Sequence, residues 1–185
     1  MKNKKAAIEM SIGTIVVIVL AMTMLIMGLV LIKSIFSGAT YNVDTINDKV
    51  KEQINKMFEE DDSAAIVVYL ADSKAVIKKG NDFGVAFAIK NLGTGSVAEK
   101  FTYEVKLGDD PSDLKKQCGI TEAQAMALII KGKTGEFLIK PGDFNTGLIR
   151  IQTDADSPIC MIRYDINVKK DGVAESSTFF DVQIK

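Results

Sequence analysis

The sequence predicts an α+β chain: one long apolar N-terminal helix followed by an antiparallel β-sandwich. Three observations lead there. No residue from Met10 to Ile32 is charged. After that run, apolar residues recur at three- and four-residue steps, the period of a helix with one buried face. Beyond residue 63 they recur at every second position, the period of half-buried strands.

The first run reads "KKAAIEMSIGTIVVIVLAMTMLIMGLVLIK", Lys4 to Lys33, and between Met10 and Ile32 only Ser11, Thr14 and Thr23 are polar. A helix over that uncharged run would measure roughly 35 Å, against a bilayer hydrocarbon core of about 30 Å. A core helix of a globular domain would show a polar face, and none is present. A secretory signal peptide would have a shorter apolar centre, about 7–15 residues, and a small-residue cleavage site at its end. The expectation is a basic leader over 1–6 and a transmembrane helix over 7–36. Lys2, Lys4 and Lys5 precede the run, whereas Lys33 alone follows it closely. Basic flanks stay cytoplasmic, which predicts a single-pass membrane protein with its N-terminus inside and its head outside.

"YNVDTINDKVKEQINKMFEE" then sets Val43, Ile46, Val50, Ile54, Met57 and Phe58 on one stripe, predicting an amphipathic stalk helix over 37–62. Its stripe can pack on the head, on neighbouring copies, or on both. Glu52 and Lys56 stand at i,i+4 on the wet side.

Over 63–185 the alternation is explicit. Phe83, Val85, Phe87 and Ile89 share one face, as do Phe101, Tyr103, Val105 and Leu107. So do Cys160, Ile162, Tyr164, Ile166 and Val168, and then Phe180, Val182 and Ile184. Turn residues separate these segments in "KKGND", "NLGTGS", "KPGD" and "KKDG", the last predicting a hairpin. Seven or so strands at this spacing read as a sandwich of immunoglobulin type. "TEAQ" (Thr121–Gln124) has the form of a capping box and predicts a short helix over Glu122–Ile130, with a strand as the alternative.

Composition narrows the chemistry. A net charge of −1 offers no concentrated basic face for nucleic acid. The chain has no His, the side chain best suited to proton transfer near neutral pH. The acids of "GDDPSD" and "TDADS" could in principle hold calcium, but Asp, Ser and Pro are also what turns are made of, and the turn reading is preferred. No catalytic residue, metal site or cofactor is expected. Two cysteines in an exported domain favour a Cys118–Cys160 disulfide, with two buried free thiols as the alternative.

The basic leader "MKNKK", the small pair "AA", the acid Glu9, the unbroken apolar helix, its amphipathic continuation and the sandwich head together resemble archaeal type IV pilins and archaellins. That resemblance implies a cell-surface filament subunit with a class III signal peptide, matching Lys5, Ala6, Ala7 and Ile8 with a cut between Ala6 and Ala7. The cut would leave Glu9 third, where many members of that family have their acid fifth. The implied partners are identical subunits in a helical homopolymer, the membrane before assembly, a prepilin-type peptidase and an assembly machinery. Glu9 would act as a register pin, because burial among helices forces it to find a positive partner or a proton. Gly13 and Gly28 suit close helix approach. The alternative is a membrane-anchored, unpolymerised binding or spacer module.

Overall fold

The structure, a computed structural model, describes residues 13–28 and 48–185. The chain divides into two compact units, Met1–Ala39 and Thr40–Lys185. In the first unit, residues 13–28 form helix α1. Among the described residues no helix is long and apolar enough to cross a membrane. The expected transmembrane helix, and the single-pass placement with the head outside that rested on it, are corrected accordingly. Lys2, Lys4, Lys5 and Lys33, which set that orientation, lie outside the described residues.

The expected α+β class is also corrected: the protein is mostly β. The second unit begins with α2 (Asp48–Glu60), followed by β1 (Ile66–Tyr69), β2 (Lys74–Ile77), β3 (Asp82–Lys90) and β4 (Glu99–Leu107). Two short helices, α3 (Pro111–Cys118) and α4 (Glu122–Ala127), precede β5 (Ile129–Lys131), β6 (Thr134–Ile139) and β7 (Phe144–Gln152). The long strands β8 (Met161–Lys170) and β9 (Val173–Ile184) close the chain. One sheet has the order β1-β3-β7-β5 and the other β2-β9-β8-β4-β6. The expected wholly antiparallel sandwich of immunoglobulin type is corrected by β2, which runs parallel to β9. Between β1 and β2 the chain changes sheets through a 3-10 turn, where Asp72 and Ser73 both take φ of 52°.

The alternation does what it predicts. Phe83, Val85, Phe87 and Ile89 are buried, as are Ile162, Tyr164, Ile166 and Val168. Phe87 from one sheet meets Tyr103 from the other edge-on, with ring centroids 4.8 Å apart. "KKDG" is the hairpin turn between β8 and β9: Asp171 and Gly172 both have positive φ, which suits the right-handed twist of paired strands.

Strand β3 departs from simple alternation because Ala86 and Ala88, on its other face, are buried too. They are small, and α2 lies on them through Ile54 and Phe58. Val50, Val67, Phe144 and Leu148 pack around that contact, and the rings of Phe58 and Phe144 are 5.4 Å apart. The apolar stripe of α2 therefore packs on the head. Glu52 and Lys56 pair at 3.1 Å on its exposed side. Phe58→Ala is expected to destabilise the head by about 3–5 kcal/mol, as truncation of a buried aromatic does. Thermal unfolding checks this, and a change near zero would mean that α2 is not seated on the sheet.

The Thr121 hydroxyl and the Gln124 side chain cap α4 reciprocally, forming the capping box. Helix α4 ends at Ala127, and the remainder of the predicted segment becomes β5, so each expectation for this stretch holds over part of it.

Candidate assembly surface and polar centres of the head

Helix α1 carries apolar side chains on all sides. Thr14 and Thr23 are its only polar residues, and the Thr23 hydroxyl donates to the Leu20 carbonyl at 2.8 Å, a bond internal to the helix. Ile15 and Leu20 are each 57% exposed, and Met24 and Met27 76%. At about 25 cal/mol per Å2, so many uncovered aliphatic side chains represent a large unsatisfied burial energy. Gly13 and Gly28 mark the two ends of the described helix, and a Cβ added at either would meet nothing within 4 Å. Lys5, Ala6, Ala7 and Glu9 lie outside the described residues.

Cys118, the last residue of α3, is bridged to Cys160, just before β8, with Cα atoms 5.4 Å apart. The bridge ties the α3–α4 excursion to the five-stranded sheet. The Tyr164 hydroxyl reinforces it from within by donating to the Ala125 carbonyl at 2.7 Å. Burial pushes the Tyr164 phenol well above its ordinary range, so it stays protonated and remains a donor.

The acidic loops have structural employment. Asp110 caps α3 by accepting from the Ser112 N–H at 2.8 Å. Asp109 accepts from the Arg163 N–H at 2.7 Å, and Asp113 pairs with Lys116 at 3.3 Å. In "TDADS" the Asp154 N–H donates to the Ser157 hydroxyl at 2.9 Å. Among the described residues no group of three or more His, Cys, Asp or Glu is arranged to hold a metal ion. The Asp110 carboxyl sits below the ordinary aspartate range, chiefly through the Ser112 hydroxyl and then the Ser112 N–H. A carboxylate lowered in the folded state contributes stability above its unfolded pKa and loses it as pH falls through the folded value. Wild type is therefore expected to exceed Asp110→Ala in stability at neutral pH, and the two are expected to converge in acid. Denaturant unfolding across that range checks this, and a pH-independent gap contradicts it.

The alternation missed a second polar centre. Asn91, just past β3, is wholly buried, with its side-chain amide donating to Glu99 Oε2 at 2.8 Å and to the Ile139 carbonyl at 2.9 Å. Its Oδ1 accepts from the Gly93 N–H at 2.8 Å. Lys170 Nζ lies 2.9 Å from the same Glu99 oxygen. In sequence this Asn looks like an ordinary loop residue after a strand. Only the pairing of β4 with β8 brings Lys170 to it. Across β8 and β9, Arg163 grips Asp181 with two bonds of 2.8 and 3.0 Å and covers the Phe179 ring at 4.2 Å.

No family model matches the chain, and no curated protein sequence does. Solved structures match part of the chain at low similarity. The CARDB domain of a Pyrococcus furiosus protein, in complex with di-metal ions, is 13% identical with a TM-score of 0.39, covering 65% of this chain and 87% of that one. A family 123 glycoside hydrolase from Clostridium perfringens is 12% identical with a TM-score of 0.42; the match covers 65% of this chain but only 27% of the hydrolase. A class 5 fimbriae chaperone is 12% identical with a TM-score of 0.33, covering 64% and 54%. None of these three is named as a pilin or archaellin. At these values the likenesses say nothing about activity, so the chain is described by its own residues: an uncovered apolar helix and a disulfide-bridged β head.

Proposed function

We propose that this chain is a structural subunit that polymerises through its N-terminal apolar helix into an extracellular filament, with the β head supplying the solvent-facing surface. The observation that carries this reading is the exposure of α1 on every side. A helix without a polar face is stable only when surrounded by apolar matter, and identical helices supply that for one another. The Met-, Ile- and Val-rich surface adapts to such contacts. The Cys118–Cys160 bridge supports a head that works in an oxidising compartment. In this reading Glu9 keeps its role as a register pin between subunits.

The test is reassembly. Full-length chain dispersed in detergent is expected to sediment as filaments once the detergent is removed, while chain lacking residues 1–36 stays monomeric with an unchanged β spectrum. Full-length protein that remains monodisperse, or truncated protein that polymerises equally well, would overturn the proposal.

A further inference from the structure

The Asn91–Glu99–Lys170 cluster holds the parts of an amide-forming reaction. A carboxamide is a poor electrophile unless its oxygen is polarised, its nitrogen can be protonated as it leaves, and an amine stands beside it. Here the oxygen has a donor, and one Glu99 oxygen reaches both the amide nitrogen and the Lys170 amine. The Gly93 N–H donates to Asn91 Oδ1 at 2.8 Å, the position in which it would hold a developing oxyanion. Glu99 Oε2 contacts both the departing nitrogen, at 2.8 Å, and the Lys170 amine, at 2.9 Å. A Cβ placed on Gly93 would lie 2.9 Å from Asn91 Oδ1, 2.9 Å from Glu99 Oε2 and 3.2 Å from Lys170 Nζ. The three groups thus converge on one small space, which glycine keeps open. Asn91 is fully buried, and the side chains of Lys170 and Glu99 are only 24% and 29% exposed, which limits competition from water.

We infer that the Lys170 amine and the Asn91 carboxamide condense into an intramolecular isopeptide bond, with Glu99 shuttling the protons. Lys170 first passes one proton to Glu99. Its free lone pair attacks Asn91 Cγ, and the carbonyl pair moves onto Oδ1, which the Gly93 N–H holds. Glu99 gives its proton to Nδ2 and takes one from Nζ. The Cγ–Nδ2 bond then breaks, ammonia leaves, and the carbonyl re-forms. No oxidant or cofactor is needed. The ion pair holds Glu99 below and Lys170 above their ordinary ranges, so the neutral pair is the minor form. That makes the step slow, but it has to occur only once per chain, and the loss of ammonia drives it forward.

Asn91 follows β3 in the four-stranded sheet, whereas Lys170 ends β8 in the five-stranded sheet. The bond would therefore staple the two sheets together covalently. This inference does not depend on polymerisation.

Peptide mapping of the reduced full-length protein by tandem mass spectrometry tests it. The expected result is a branched species containing both Asn91 and Lys170, lighter by one ammonia than its two linear parts, with no proteolytic cleavage after Lys170. Glu99→Gln, which keeps the shape but cannot relay protons, is expected to yield only the two linear peptides. Linear peptides with an intact Asn91 amide in wild type, or ammonia loss confined to Asn91 as a cyclic imide, overturn the bond. A branched species in Glu99→Gln overturns the assigned role of Glu99.

Discussion

Val19→Lys is expected to raise the concentration required for assembly by about 100-fold or more, leaving the head folded. Val19 lies near the middle of the described helix and is 53% exposed in the single chain, so the substitution costs the unassembled protein little. In a bundle of like helices the ammonium would be stripped of water without a partner. A lysine at the centre of an apolar helix costs about 2.5–3.5 kcal/mol, and each 1.4 kcal/mol is about tenfold in an association constant. Light scattering against concentration measures the onset. Val19→Leu is the control and should assemble as wild type does. If Val19→Lys assembles at the wild-type concentration, the helix is not at the contact.

Replacing both cysteines, Cys118→Ser with Cys160→Ser, is expected to destabilise the head by about 4 kcal/mol on the chain-entropy estimate. The magnitude follows from the sequence separation of 42 residues, whose closure the bridge removes from the unfolded ensemble. For a domain of this size that corresponds to a fall in melting temperature of roughly 14 °C. Reduction of the wild type should produce the same shift, and scanning calorimetry with and without reductant measures both. A double variant that melts with the wild type would mean the α3–α4 excursion is already fixed by Tyr164, the Asp110 cap and the Thr121–Gln124 capping box.

Much of the head is legible in the sequence, and the reasons are local. The period-two pattern of Phe83–Ile89 and Ile162–Val168 can be satisfied only by burying one face, so β3 and β8 are found from the residues. Thr121 and Gln124 announce a helix start because their bonds are made within four residues. What escapes depends on distant partners. Ala86 and Ala88 look like neutral strand residues until α2 is laid across them. Strand β2 is short, and its parallel pairing with β9 joins segments about a hundred residues apart, which no local pattern encodes. The Asn91 cluster is invisible for the same reason. The apolar helix illustrates a different limit: hydropathy reports that a segment must leave water, but not whether lipid or its own copies receive it.

The central claim is that α1 finds its burial among identical helices, and electron cryo-microscopy of detergent-free full-length protein tests this most directly. The account predicts a helical polymer whose axis is a core of packed N-terminal helices, with Leu20 and Met24 enclosed and the β heads around them. Solitary particles, or a polymer held together by head-to-head contacts with those side chains uncovered, would contradict it.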